Sequence, residues 1–190
     1  MRWTFLLLPL LLASCAATPP LTQPVLRSAV AEQEPFVLNG RLSVKHNGQR
    51  TSANMHWDHQ PASDEITLSG PLGQTVASLR RDAQGVVLQT QDKAYTADDV
   101  GELTQQALGW PLPLTGLRYW VLALPDPASE ASVEHDVNGQ VRLLRQDGWE
   151  IHYMRYAATA PDSLPLRMLL QRAGLEIQLL VDTWEIRNQP

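Results

Sequence analysis

One cysteine in 190 residues rules out a disulfide framework. No apolar run reaches the roughly 20 residues that a bilayer-crossing helix needs; the longest, Trp3–Leu12, is too short. Positive charge is scarce, with 15 Lys and Arg against 20 Asp and Glu. That argues against a nucleic-acid partner, which wants a basic face, and against electrostatic docking on anionic lipid. There is no G-x-S-x-G elbow and no phosphate loop. The acids are scattered over polar faces, so paired acid–base work has no support. His56 and His59, with Asp58 between them, form no ligand cluster, and a solvated strand edge accounts for them better than a metal. No period of 20–50 residues repeats, which removes solenoids. No enzyme, metal or cofactor is expected.

What is present begins with Arg2, the apolar run and Leu12-Ala13-Ser14-Cys15, the three zones of a secretory signal. Small-small-Cys after Leu resembles the bacterial lipoprotein signal. The resemblance implies removal of residues 1–14 and a diacylglyceryl group on the Cys15 sulfur. It also implies acylation of the freed amine, since two or more chains are needed for a stable anchor. Removal would leave 176 residues with 14 basic and 20 acidic, a balance of −6, enough for one domain with a core. Residues 15–35 carry Pro19, Pro20, Pro24 and Pro35 and read as a tether, with a short helix over Val25–Gln33. Ala16 is not Asp, which by the same resemblance points to the outer membrane.

From Phe36 to the end the chain reads as a single domain, 36–190. Phe36, Leu38, Gly40, Leu42 and Val44 alternate with polar residues, and Asn47-Gly48 makes a tight hairpin turn. The return strand puts Met55 and Trp57 on one face. Further strands are expected near Glu65–Ser69, Thr75–Arg81, Val86–Gln91 and Lys93–Tyr95. Thr96 with Asp99 fits a capping box for a helix that Gly109 ends. Pro113 opens a second helix with the stripe Leu114, Leu117, Val121 and Leu124. Strands then resume at Val133–Val137, Val141–Gln146, Trp149–Tyr156, Leu164–Arg172 and Leu175–Ile186. The alternation slips near Asp182–Thr183, where a bulge is expected. The fold class is mainly β (α+β), a curled antiparallel sheet with one greasy face. Two short helices are a small cover for it, so the pattern leaves open either an apolar hollow or an ordinary packed core.

Leu72 stands out, because the turn Gly70-Pro71-Leu72-Gly73 would normally be polar at its tip. An isolated exposed Leu is common. Beside a bilayer it could also enter lipid. Arg80-Arg81 could steer an acidic partner or lipid headgroups, and equally well could keep a strand edge soluble.

In order along the chain, Phe36-x-Leu38-x-Gly40-Arg41-Leu42-Ser43-Val44, Trp57 and Pro71-Leu72-Gly73 are followed by Tyr95-Thr96-Ala97-Asp98 and Leu108-Gly109-Trp110-x-Leu112-Pro113-Leu114. Then come Leu117-x-Tyr119-Trp120-Val121, Pro125, Gly148-Trp149-x-Ile151-x-Tyr153-x-x-Tyr156, Leu164-Pro165 and Trp184. This series resembles the outer-membrane lipoprotein receptor family LolB, with Ala123 where the family commonly has Gly in the second helix. The resemblance implies an open half-barrel whose helices cover an acyl-chain cavity. It implies a lipid-anchored protein on the periplasmic face of the outer membrane, non-catalytic and monomeric. Its partners would be the carrier LolA, triacylated lipoprotein cargo and outer-membrane phospholipid. Pro71, Leu72 and Gly73 would form the membrane-insertion loop. Cavity walls are expected around Leu38, Leu42, Val44, Met55, Trp57, Leu68, Trp120, Trp149, Ile151, Tyr153, Met168 and Leu170. The competing class is a structural or assembly lipoprotein that docks on another envelope protein.

Overall fold

Asn47 and Gly48 have φ of 50° and 77°, and Asp147 and Gly148 have 52° and 76°. Two successive positive φ values are what a two-residue hairpin needs to match strand twist, and these turns set the register of the sheet on either side. The computed structural model describes residues 35–187. The expected signal, Cys15 and the helix over Val25–Gln33 lie outside that range.

Six strands come first: β1 (Phe36–His46), β2 (Gln49–Gln60), β3 (Ser63–Ser69), β4 (Thr75–Asp82), β5 (Gly85–Thr90) and β6 (Ala94–Ala97). Helices α1 (Val100–Leu108) and α2 (Leu114–Trp120) follow. Five strands complete the chain: β7 (Ala131–His135), β8 (Val141–Gln146), β9 (Trp149–Tyr156), β10 (Pro165–Arg172) and β11 (Leu175–Ile186). All eleven strands form one antiparallel sheet in the order β6-β5-β4-β3-β2-β1-β11-β10-β9-β8-β7, open at both ends. The helices join the two free edges and sit against the apolar face.

That face is the alternation made solid. On β1, Leu38, Leu42 and Val44 are buried while Asn39, Arg41 and Lys45 are exposed; Ile177, Leu179 and Val181 do the same on β11. Trp57, Trp120 and Trp149 are the largest fully buried side chains, and burying a side chain of that kind is worth about 1.5–3 kcal/mol or more. The outer face carries exposed ion pairs such as Arg41–Asp182 (3.1 Å) and Lys45–Glu176 (3.2 Å), each contributing about 0–1 kcal/mol.

The bulge is where the broken alternation places it. Asn39 pairs with Thr183 but Gly40 pairs with Val181, so Asp182 is the extra residue. The chains approach so closely there that a Cβ on Gly40 would lie 2.2 Å from the Leu180 carbonyl oxygen.

Several boundaries differ from expectation. Thr96 does not cap α1: it lies in β6, paired with Val87. The cap is Asp99, with extended φ and ψ, whose carboxylate accepts the Glu102 N–H at 2.8 Å. The expected strand at Lys93–Tyr95 is shifted to Ala94–Ala97 because it pairs with Val86–Gln89. Helix α2 ends at Trp120, so Val121 and Leu124 are outside it. Ala123 is buried in a turn at φ 58°, a conformation that favours Gly. Strand β7 spans Ala131–His135, not Val133–Val137, because the Asp136 carboxylate accepts the Asn138 and Gln140 N–H groups and closes the turn.

Gly40→Ala should lower stability by about 1–3 kcal/mol or more, the usual cost of overpacking. Urea unfolding checks this as a fall in midpoint at unchanged slope.

Candidate functional site

An apolar hollow lies between the concave face of β1–β5 and a cover made of α1 and the segment after it. Leu42, Met55, Ile66, Leu68, Ala77, Leu79 and Leu88 form the sheet wall; Thr104, Leu108, Trp110 and Leu112 form the cover. The free space is about 20 Å³, room for little more than one water. The single polar side chain of the lining is already used. Thr104 Oγ1 donates to the Val100 carbonyl at 2.8 Å and accepts the Leu112 N–H at 2.7 Å. This hydroxyl ties the far side of the cover to α1.

Three of the expected wall residues, Leu42, Met55 and Leu68, line the hollow. Leu38, Val44 and Trp57 are buried on the same strands without lining it. Trp120, Trp149, Ile151, Tyr153, Met168 and Leu170 are buried in the same core but do not line the hollow, and Trp149 and Tyr153 lie against α2. There the Trp120 and Trp149 rings are 6.1 Å apart and the Tyr153 hydroxyl donates to the Trp120 carbonyl at 2.7 Å. Gln146, buried, accepts from Trp120 Nε1 at 2.8 Å and from the Asp126 N–H at 2.9 Å, and donates to the Asp126 carbonyl at 2.7 Å. One amide therefore pins α2 and the chain beyond it to the end of β8. Of the lining, Ile66, Ala77, Leu79, Leu88, Thr104, Leu108, Trp110 and Leu112 were not among the expected residues, and neither was Gln146. The available signal was a polar residue in phase with an apolar stripe: Gln146 follows Leu144 by two on a strand, and Thr104 adjoins Leu103 on a helix.

The loop between β3 and β4 is tightly made. The Gly73 N–H donates to the Gly70 carbonyl and the Gly70 N–H to the Gln74 carbonyl, both at 2.9 Å. Pro71 takes the first central position of the turn and Gly73 the left-handed one, at φ 83°. Leu72 is held at the tip, 94% exposed. Leu68 pairs with Ala77 at the base of the same hairpin, and both line the hollow. Wall and tip thus belong to one rigid element.

The architecture matches that of a LolA superfamily protein from Nitrosomonas europaea, with a TM-score of 0.50 over 87% of this chain and 90% of that one at 7% identity. The likeness is one of fold: an open sheet with helices on one face. The family profile described as "Outer membrane lipoprotein LolB" matches residues 34–184. The outer-membrane lipoprotein LolB of Chromobacterium violaceum is 41% identical over 184 residues, 97% of this chain and 98% of that one. Its counterpart from Nitrosomonas europaea is 42% identical over 166 residues, 86% of this chain and 78% of that one. The chain belongs to the LolB family of outer-membrane lipoproteins. It is a family of lipoprotein sorting, not of catalysis.

The histidines correct one expectation. His56 is exposed, bonded to Asn39, but His59 is buried and not part of a solvated edge. The reason is Asp64, fully buried beside it. Asp64 Oδ1 is 2.6 Å from His59 Nδ1 and accepts from Trp57 Nε1 at 3.0 Å, while Oδ2 accepts Arg81 Nε at 2.6 Å. Arg81 thus does not protect an edge: β4 lies inside the sheet and the guanidinium is turned to Asp64. Burial alone would raise the Asp64 pKa, but the bonds and charge from His59, with those from Arg81 and Trp57, outweigh it and hold the carboxyl below its ordinary 3.8. Among the described residues no group of His, Cys, Asp and Glu is arranged to hold a metal.

A depressed native pKa stabilises the fold above about pH 4 and loses that contribution as pH falls through the native value. Asp64→Asn should cost about 3 kcal/mol at neutral pH and flatten the acid limb of stability below pH 4. Glu134 and Glu150, also lowered by Arg145, will keep a residual slope. Urea midpoints measured from pH 7 to pH 2.5 check both outcomes.

Proposed function

We propose that the protein receives acylated lipoproteins from a periplasmic carrier of the LolA type and inserts them into the inner leaflet of the outer membrane. In this reading Cys15 is the lipid anchor, the hollow is the acyl seat and Leu72 is the tip that enters lipid. One observation carries it: the apolar hollow and the exposed Leu72 share the β3–β4 hairpin. A chain released from the hollow would leave beside the tip.

The energetics fit a passive transfer. An acyl chain costs about 0.8 kcal/mol per CH₂ to expose to water, so cargo must pass between apolar sites and needs only rising affinity along the way. No nucleotide motif is required. Leu72 gains about 1.5–3 kcal/mol on full burial, with little ordering cost because its loop is already rigid. The hollow must enlarge to load. Sixteen carbons at about 30 Å³ per heavy atom need on the order of 500 Å³. The parts able to move are α1 and Trp110–Leu112, which cover the β5–β6 edge. Lifting them replaces side-chain contacts by acyl contacts of the same apolar kind. Cargo therefore competes with the cover, which keeps binding weak enough for delivery.

An assembly lipoprotein would need an apolar docking face. Among the described residues, the exposed large apolar side chains Leu72, Val87, Val137 and Met154 instead stand on four separate strands or loops.

The test mixes protein starting at Ala16 with carrier loaded with a triacylated lipoprotein. Cargo should move to this protein and on to liposomes. Leu72→Glu should accept as well as wild type and deliver at least tenfold less. If wild type takes no cargo, the transfer reading is wrong.

A further inference from the structure

The cover over the hollow is one stretch of chain folded back on itself. Helix α1 lies on β5 and β6. Gly109 ends it at φ 82°, and residues 110–112 then return along the helix toward its first turn. Two observations place them there. The Leu112 N–H donates to Thr104 Oγ1 at 2.7 Å, and a Cβ on Gly101 would lie 3.9 Å from Pro111 Cβ and 4.0 Å from the Leu112 carbonyl oxygen. The two limbs make a V with Gly109 at its apex, where an added Cβ would meet nothing within 4 Å.

Each limb is fastened to a different part of the fold. Helix α1 follows the short edge strand β6. The return limb leads into α2, with the Leu112 carbonyl accepting the Leu114 N–H at 2.9 Å. Gln146 and Tyr153 hold the far end of α2 through Trp120, at 2.8 Å and 2.7 Å. When α1 swings away from the sheet and α2 stays, the limbs must part. Thr104 and Leu112 stand on opposite limbs and both line the hollow, so the parted seam opens directly into it.

Thr104 is fully buried, and its hydroxyl works in both directions. It donates to the Val100 carbonyl at 2.8 Å while accepting the Leu112 N–H. A buried N–H needs a partner, and a methylene chain offers none. Water can take both groups once the seam is open. The bond therefore closes the seam over an acyl chain, yet it can be exchanged for water as the seam parts.

We infer that acyl chains enter and leave the hollow through the seam between α1 and residues 110–112, and that the Thr104 hydroxyl is the latch on it. The inference rests on the hollow as the acyl seat. Thr104 is a positioning residue here: it favours the closed seam, and only the fraction of molecules with the seam open is competent to load. Weakening the latch raises that fraction.

The test uses the mature protein, acylated at Cys15, in phosphatidylethanolamine–phosphatidylglycerol vesicles. Loss of radiolabelled triacylated lipoprotein from a LolA-type carrier is followed with time. Thr104→Val leaves the Leu112 N–H unpaired in the closed seam and should speed acceptance about fivefold or more, the low end of what one unsatisfied buried group is worth. Its urea midpoint falls at the same time, so a merely structural role would not raise the rate. Thr104→Ser keeps the hydroxyl and should match wild type. A second variant locks the seam with Gly101→Cys and Pro111→Cys. The Cβ separation of 3.9 Å suits a disulfide, for which about 3.5–4.5 Å is usual. Asp99 Oδ1, 3.1 Å from the new Cβ, has to shift slightly. The oxidised pair should accept no cargo, and reduction should restore acceptance. Acceptance by the oxidised pair at the wild-type rate overturns the port. A Thr104→Val rate at or below wild type overturns the latch. Where reduction restores nothing, the pair is misfolded and Thr104→Val against Thr104→Ser decides alone. Wild type that takes no cargo sinks the transfer reading itself, and the inference with it.

Discussion

A sheet of eleven strands with a single apolar face must hide that face, and the described residues supply only a nine-residue and a seven-residue helix to do it. Most of the burial therefore comes from the sheet curling upon itself, so that Leu42 and Leu38 on β1 share a core with Trp149 and Ile151 on β9. The helices fill what curling leaves. Their placement follows from connectivity, since they join the two free edges and can lie only across the concavity.

The two helices are held very differently, and that difference divides the interior. Gln146 and Tyr153 fasten α2 through side-chain hydrogen bonds, and Gly116 lets the Trp120 ring lie flat on its own helix: a Cβ there would be 2.4 Å from the ring. That half is packed and polar-locked. Helix α1 rests on β5 and the four-residue β6, with one hydroxyl binding the cover together. The small hollow is on this side. An element held mainly by apolar packing opens at lower free energy than one also fastened to the sheet by buried hydrogen bonds.

Much of this was legible in the sequence because period-two alternation and Asn-Gly or Asp-Gly turns are local signals. The strands, the αL cap at Gly109 and the bulge at Asp182 all follow from them. Helix boundaries were less legible. Thr96 and Asp99 are both good caps, and only the pairing of β6 with β5 decides between them. The LolB family and its fold were readable from spaced motifs over most of the chain. The lining of the hollow was not, because every strand contributes apolar residues to the same face and sequence does not say where the helices leave a gap. Buried His59 was misread for a related reason: a polar residue on an apolar face looks like an edge until its partner arrives from another strand, here Asp64, itself held by Trp57 and Arg81.

The ladder also dictates an order of assembly. Except for one pairing, each strand neighbours the strand next to it in the chain or, across the helices, begins a second meander of the same kind. Such hairpins close short loops and form early. The exception joins β1 to β11, as in Phe36 with Ile186, and cannot form until the last strand exists. Until then β1 and β11 are both bare edges, long and apolar on one side, of the kind that pairs with foreign strands. The completed sheet removes them, leaving as its free edges only β6 and β7, four and five residues long. The seam at β1–β11 is thus the kinetic hazard of this fold, and its closure converts two sticky half-sheets into a protein with almost no edge to offer.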